Sequence, residues 1–311
     1  EKTAFELRKS VSRERRLEKT IVVEVDYMDG SISGLTHAPH PQVLETLADS
    51  FARAPVPVVE DCPYPGFPAS GGVNFVGYVD QEIPEQDGRF ALSDLVQVRE
   101  TYFDERLLPF VHYAVYAHAL DTGNGTSGVC CRAGSFIVSL GLWRLDHADP
   151  TVSQDVAFFD PAGNQAQRLV IEAGTFMHEL GHALGLGHGG DNNIQYKPNY
   201  LSIMNYTFQT RGILQADDPA RINIDYSRRL LPALDELALE ESVPLCADPD
   251  CVPLITSWLR DGANESGDIT GPIDWNADNV IYAGTYASDI NRGDAARCVG
   301  DGPDDQINTT P

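Results

Sequence analysis

Hydrophobic and polar positions follow strand and helix periods along the first two thirds of the chain. The β-rich segment Lys19–Tyr27 is followed by apolar residues at helical spacing between Pro41 and Arg53. Further strands are predicted at Gly72–Tyr78, Phe110–Tyr116, Ser127–Cys131 and Phe136–Leu142, and the strongest helix at Gln165–Leu184. This order predicts an α/β fold, a twisted, mostly parallel sheet with two main helices.

The remaining third of the chain is irregular and rich in Asp, Asn and Pro, with one further helix predicted near Pro232–Glu241. Residues 1–18 carry many charges of both signs and are interpreted as a charged N-terminal arm or a pro-segment remnant. We therefore predict this arm, an N-terminal catalytic subdomain at 19–185 and an irregular C-terminal subdomain at 186–311.

Composition excludes several classes of protein. The 311 residues include 46 acidic and 22 basic side chains, a formal charge of −24, whereas nucleic-acid binding needs a basic surface. A 42% apolar content can bury a core, which argues against disorder. No apolar run approaches the ~20 residues of a membrane span. We expect a soluble, monomeric protein that binds no nucleic acid.

The six cysteines favour an exported protein with disulfide bonds over a cytosolic protein with buried thiols. They allow 15 pairings: Cys62, Cys130, Cys131, Cys246, Cys251 and Cys298. Cys246 and Cys251 are spaced for a local loop closure. Cys130 and Cys131 are adjacent, so we expect each to pair with a different partner, because a ring between neighbours is strained.

The predicted long helix carries the chemistry, in the segment His178-Glu-Leu-Gly-His182-Ala-Leu-Gly-Leu-Gly-His188. Histidines at i and i+4 project from one helical face and can bind one zinc ion. Gly185 allows the helix to end and the chain to turn, which brings His188 back as a third ligand. Three imidazoles leave the fourth zinc position for water, as in catalytic sites. Single histidines are usually ordinary core or surface residues, and we interpret the others so: His37, His40, His112, His118 and His147.

The full motif resembles that of the metzincin clan of zinc endopeptidases. Leu201-Ser-Ile-Met204-Asn-Tyr206 is similar to the Met-turn of that clan, in which Met204 would form a floor under the zinc. Tyr206 matches the tyrosine of astacin-like and serralysin-like members, which can ligate zinc and then contact the reaction intermediate. The resemblance also implies a zinc cleft and an antiparallel edge strand that pairs with substrate, formed by Ser127, Gly128, Val129, Cys130 and Cys131. The sequence after His188 departs from the best-known families, which favours a bacterial secreted member outside them.

The function predicted from these residues is a secreted zinc-dependent endopeptidase acting on proteins or peptides. Glu179 would be the general base, with Tyr206 stabilising the oxyanion as the resemblance implies. Two alternatives stay open: a zinc hydrolase of a non-peptide bond, and a binding or adhesive module of the same fold without catalysis.

A structural calcium ion is a further hypothesis. Oxygen ligands stand at the first, third and fifth loop positions, with a backbone carbonyl at the seventh: Asp274, Asn276, Asp278 and Val280. Thr285 replaces the closing glutamate of an EF-hand, so a plain Asx-rich loop is the alternative.

Overall fold

The computed structural model describes residues 19–55, 72–86, 89–121, 125–190, 192, 194–260, 263–291 and 306–307. The predicted arm at 1–18, Cys62 and Cys298 lie outside these residues. The chain forms two compact units, Glu1–Leu184 and Gly185–Pro311, which are described separately. None of the helices in the described part combines the length and apolar character needed to cross a membrane.

A five-stranded sheet forms the centre of the first unit, in the order β2-β1-β3-β5-β4. Its strands are β1 (Thr20–Met28), β2 (Asn74–Ile83), β3 (His112–Ala117), β4 (Gly128–Arg132) and β5 (Ser135–Ser139). Neighbouring strands are parallel except β4, which is antiparallel to β5 at the sheet edge. β3 and β5 are almost wholly buried, as expected for parallel strands covered on both faces. The predicted α/β fold with an antiparallel edge strand is confirmed.

The described residues of this unit form three α-helices, α1 (Val43–Ala52), α2 (Leu92–Tyr102) and α3 (Gln165–Ala183), and a 3-10 turn at Glu105–Leu107. α1 buries Val43, Leu47 and Phe51, which follow each other at one-turn spacing on one face. The side chain of Asn164 caps α3 by accepting hydrogen bonds from the backbone N–H groups of Ala166 and Gln167. From Ile171 to Gly181 every residue of α3 is buried. A short ladder of β6 (Arg144–Leu145) and β7 (Val156–Ala157) precedes α3.

Helix α2 was not predicted, because its apolar face is small and includes a charged residue. It buries Leu95 and Val98 together with Arg99. The Arg99 guanidinium is satisfied inside the fold, where its Nε lies 2.8 Å from Glu105 Oε1 and its Nη1 donates to the Arg132 carbonyl. Contacts formed only in the folded chain therefore account for a buried position that the sequence marks as polar.

In the part of the second unit that the structure describes, short two-stranded ladders accompany one helical turn, α4 (Tyr206–Gln209). The ladders pair β8 (Ile213–Leu214) with β9 (Ile222–Asn223), β10 (Leu234–Asp235) with β15 (Gln306–Ile307), β11 (Leu239–Glu240) with β14 (Thr285–Tyr286), and β12 (Ile255–Arg260) with β13 (Ala263–Asp268). The indole rings of Trp258 and Trp275, 4.8 Å apart between centroids, lie in its apolar core.

The predicted helix near Pro232–Glu241 is wrong, because the segment forms β10 and β11 instead. Two of its acidic side chains are wholly buried and accept hydrogen bonds from distant backbone groups. Glu236 accepts from the N–H of Ile290, and Glu241 accepts from the N–H of Tyr282. These long-range bonds override the helical preference of the local sequence.

The disulfide predictions have mixed outcomes. Cys246 is bonded to Cys251, which confirms the local loop closure. Cys130 is bonded to Cys131 across a cis peptide bond, so the expectation of two different partners is wrong. That expectation rested on the strain of a ring between neighbouring residues.

Candidate metal centre

His178 and His182 lie one turn apart on α3 and direct their imidazoles to the same place. Their Nε2 atoms are 3.1 Å apart, and their rings are nearly perpendicular. Two nitrogens bound tetrahedrally to zinc at ~2.0–2.1 Å are about 3.3 Å apart, close to the observed separation. His178 is buried and His182 is half-buried. The helix therefore presents two imidazoles with the spacing that a shared ion requires.

His188 enters on a tight turn that follows α3. Gly185 has a φ of 93°, which a residue without Cβ adopts readily. The N–H of Gly190 donates to the carbonyl of Gly187, which closes a turn around His188. The ligand nitrogens of the three histidines all lie within 4.8 Å of one another. Three imidazoles are a donor set that fits zinc and leaves one position open, so the residues present can hold the metal.

A buried lysine holds the turn that carries His188. The Lys197 side chain is wholly buried, and its Nζ donates to the carbonyl of Gly189 at 2.6 Å. The N–H of Gly189 donates in turn to the carbonyl of Asn192. A charged donor on a buried carbonyl is a strong hydrogen bond. Lys197 is therefore a positioning residue that the sequence analysis missed.

Glu179 follows His178 on α3, and its side chain is buried against the edge strand. A Cβ added at Gly128 would lie 2.7 Å from Glu179 Cγ and 2.8 Å from its Oε1. Burial raises the pKa of Glu179 to about 8, because a desolvated carboxylate is costly. A cation beside this carboxylate would favour its charged form. Position 128 thus has room for the carboxylate because it is a glycine.

A buried ion pair fixes α3 upstream of the histidines. Glu172 is wholly buried and accepts from Arg168 Nε at 3.1 Å and from the N–H of His40 at 2.6 Å. Arg168 also donates to the carbonyl of Ala38. Burial raises the pKa of Glu172 to about 7, against the lowering effect of Arg168. These contacts anchor the helix to the loop that leads into α1.

Met204 lies in a turn stabilised by Asn205. The N–H of Asn205 donates to the carbonyl of Ser202, and its side-chain amide donates to the carbonyls of Lys197 and Tyr200. Met204 itself is wholly buried. The structure shows a buried turn at this position, while its likeness to a Met-turn and the role of Met204 as a floor for the metal both stay predictions.

Tyr206 is the first residue of α4 and contacts the third histidine. The ring centroids of Tyr206 and His188 are 4.4 Å apart. Tyr206 is 38% exposed, so solvent reaches its side chain. Asn205 caps the helical turn by accepting from the N–H of Thr207. The ring is thus held next to a metal-ligand candidate, while its role in the reaction stays a prediction.

The predicted substrate strand is present with a small shift. Ser127 is buried and precedes β4, which begins at Gly128. Val129 and Cys130 are half-buried, and Cys131 is exposed. Within the described residues β4 pairs on one side only, with β5. The other side of β4 is a sheet edge, and pairing with substrate there stays a prediction.

The calcium hypothesis gains no support from the loop. Asp274 accepts from the backbone N–H groups of Asp278 and Asn279, and Asn276 also accepts from that of Asp278. Asp278 in turn accepts from the N–H of Val280. These hydrogen bonds stabilise an Asx-rich loop, the alternative given by the sequence analysis.

The structure brings together two further groups of titratable side chains that the sequence analysis did not predict. One consists of His37, Glu85 and His118, and the other of Glu24, Asp26 and Asp80. In the acidic group, Tyr78 OH donates to Glu24 and Tyr113 OH donates to Asp26. Burial raises the pKa of Glu24 to about 7 and that of Asp26 to about 6. These two acids already form internal hydrogen bonds, and we assign the group no ligand.

Comparison with known proteins gives a distant structural likeness. No family model matches the chain, and no curated protein shows significant similarity to it. Among solved structures, the zinc-dependent peptidase from Methanocorpusculum labreanum (strain Z) is similar at 15% identity, over 59% of this chain and 87% of that chain, with a TM-score of 0.34. A similarity of this size does not define the activity of the present chain.

Proposed function

We propose that the protein is a zinc-dependent endopeptidase. The observation that carries the proposal is the histidine triad, whose ligand nitrogens lie within 4.8 Å of one another, with the buried Glu179 following its first member. Zinc bound by three imidazoles supplies a Lewis acid that acidifies water and polarises a carbonyl. The donor set and the acid together have the composition of a hydrolytic site.

Glu179 is the general base and then the general acid in this proposal. Its carboxylate takes a proton from the attacking water and delivers it to the leaving amine nitrogen. Its burial against Gly128 restricts the side chain to few positions, which favours a fixed proton acceptor. The Tyr206 hydroxyl donates a hydrogen bond to the oxyanion, a role that its contact with His188 supports.

A peptide is the substrate that the edge strand favours. The open side of β4 offers backbone donors and acceptors to an extended chain, which is the usual form of β-strand addition. Gly128 belongs to this strand and also contacts Glu179. A peptide paired along β4 would therefore run past the proposed base.

We further propose that the protein acts outside the cell as a monomer. The bond between Cys246 and Cys251 supports this setting, because disulfides persist in oxidising compartments. The formal charge of −24 argues against a nucleic-acid partner. A structural calcium ion at Asp274–Val280 is a prediction from the sequence alone and is not part of this proposal.

A peptide library incubated with the zinc-loaded protein tests the proposal. We expect cleavage that a zinc chelator abolishes and added zinc restores, and no cleavage by His182→Ala. His147→Ala is the matched control, because His147 belongs to none of the three titratable groups. Hydrolysis of ester or amide probes without peptide cleavage would instead indicate the non-peptide alternative. Zinc binding with no turnover of either substrate type would indicate a binding module.

A further inference from the structure

A second cluster of metal-ligand side chains lies at the carboxyl ends of three neighbouring strands. His37 follows β1, Glu85 follows β2 and His118 follows β3, and the sheet order places β1 between the other two. β2 lies on one side of β1, whereas β3, the next strand in the sequence, lies on the other side. The direction in which successive strands are placed in the sheet therefore reverses between β1 and β3. In open sheets of this kind, ligands bind beyond the carboxyl ends of the strands at that reversal.

The mutual distances of the three ligand atoms are within about 0.6 Å of those in a tetrahedral site. His37 Nε2 is 2.9 Å from His118 Nδ1, and Glu85 Oε1 is 3.9 Å from the former and 3.6 Å from the latter. Ligands of tetrahedral zinc at ~2.0–2.2 Å are separated by about 3.3–3.5 Å. Small movements of the side chains would therefore bring all three atoms onto one ion.

Hydrogen bonds behind the cluster orient two of the ligands. His37 Nδ1 lies 3.1 Å from the carbonyl of Met28 and 3.2 Å from that of Asp29, so it carries the proton and leaves the Nε2 lone pair toward the cluster. The Glu85 Oε2 accepts from the N–H groups of Ile32 and Ser33, while Oε1 faces the imidazoles. Metal-binding histidines and carboxylates are usually held in this way.

Burial and access also fit a bound ion. His37 is wholly buried, and the Glu85 side chain is 2% exposed with no lysine or arginine paired to it among the described residues. The His118 side chain is 29% exposed, which leaves a path from solvent. A Cβ at Gly141 would collide with the His118 ring and carbonyl, so a glycine there makes room for the imidazole. A divalent cation bound here would supply a counter-charge to this buried carboxylate.

We propose that His37, Glu85 and His118 bind a second zinc ion, with a solvent molecule as the fourth ligand. The two nitrogens and one oxygen suit zinc. The ion ties together the loops that follow β1, β2 and β3, so it stabilises the sheet end. This site shares no residue with the histidine triad of α3, and the proposal does not depend on peptidase activity.

Zinc counting on the full-length chain tests the proposal. The protein is stripped with a chelator, refilled with zinc, freed of excess by gel filtration, and analysed for zinc per chain. We expect two zinc ions in the wild type and in the control His147→Ala. One is expected in His118→Ala, one in Glu85→Gln, one in the double variant His178→Ala/His182→Ala, and none when His118→Ala is added to that double variant. Glu85→Gln keeps the size and hydrogen-bonding shape of the side chain, so a loss of zinc there is not a loss of fold.

Thermal unfolding gives a second readout that catalysis does not influence. Zinc added to the double variant His178→Ala/His182→Ala should raise its melting temperature, and adding His118→Ala should remove this rise. The proposal is overturned if the wild type binds one zinc ion that the double variant loses, or if His118→Ala and Glu85→Gln both retain two. Peptide cleavage measured on the same samples separates the two proposals, because His118→Ala should keep the activity that His182→Ala loses.

Discussion

Gly128 and Glu179 are packed so closely that the strand residue determines the space available to the acid. A Cβ at position 128 would lie 2.7 Å from Glu179 Cγ, and the carbonyl oxygen of Ile137 lies 2.7 Å from the same point. The added carbon would therefore be confined between the acid and the neighbouring strand. The edge strand and the proposed general base form one packed arrangement in the first unit.

Gly128→Ala should displace the Glu179 side chain and lower kcat by about 10²-fold, as small misplacements of a catalytic group do. Zinc content should not change, because the histidines are not touched. Gly125→Ala is the matched control, since a Cβ there meets no atom of the described residues within 4 Å. Peptide cleavage and zinc analysis on both variants measure the effect. Wild-type kcat in Gly128→Ala would show that the acid is free to move or takes no part.

Glu179→Gln should lower kcat by about 10²–10⁴-fold, the usual contribution of a general acid and base. The amide has nearly the same size, so the packing against Gly128 is kept. Zinc content, measured by elemental analysis, should stay at the wild-type value. Appreciable turnover by this variant with zinc bound would remove Glu179 from the proposed mechanism.

Tyr206→Phe should lower kcat by about 10²–10³-fold, the cost of removing one oxyanion donor, with a smaller change in KM. The phenyl ring keeps the contact with His188, so zinc binding should be preserved. Steady-state kinetics on one peptide separate the two parameters. A change confined to KM would assign Tyr206 to substrate binding instead.

Lys197→Met should weaken zinc binding at the triad by about 10–100-fold, as loss of a supporting hydrogen bond does in metal sites. The substitution removes the donor to the Gly189 carbonyl and loosens the turn that carries His188. The matched control is Lys19→Met, because Lys19 is exposed. Competition with a zinc-binding dye gives the affinities. Equal affinities in the two variants would show that the turn holds its shape without Lys197.

The free energy of unfolding should fall as the pH rises from the unfolded-state pKa of Glu24 to its folded-state pKa. Burial raises the pKa of this acid from 4.5 to about 7, so the folded protein binds a proton that the unfolded chain has released. The stabilising contribution is fully present below pH ~4.5 and is lost as the pH rises toward ~7. Glu24→Gln, which can still accept the hydrogen bond from Tyr78, should flatten this part of the curve.

Melting temperatures are measured between pH 4.5 and 7.5 at constant saturating zinc. They compare the pH dependence of stability in Glu24→Gln with that in the wild type. Glu45→Gln, which changes an exposed acid of α1, is the control. Parallel curves for wild type and Glu24→Gln would contradict the proton uptake assigned to Glu24.

The sequence predicts those parts of the fold and site that depend on local spacing. The apolar runs of β3 and β5 and the long helix α3 appear close to the predicted bounds. His178 and His182 meet because one helical turn separates them, and that follows from spacing alone. Local pattern is enough where neighbours in sequence are also neighbours in space.

Features that depend on tertiary pairing were not predictable in the same way. Glu236 is buried and accepts a hydrogen bond from the N–H of Ile290, 54 residues away. No local sequence pattern indicates this contact. His37, Glu85 and His118 come from separate loops and meet only because β1, β2 and β3 are neighbours in the sheet. A strand order must be known before such a cluster can be recognised.

The buried Lys197 also determines where amine chemistry can reach the protein. The chain has four lysines, Lys2, Lys9, Lys19 and Lys197, so three of them lie within the first 19 residues. The ammonium group of Lys197 is enclosed and bonded to Gly189, and it is not accessible to acylating reagents in the folded state. Fluorophores or solid supports coupled through lysine will therefore attach ahead of β1 and leave the histidine turn unmodified.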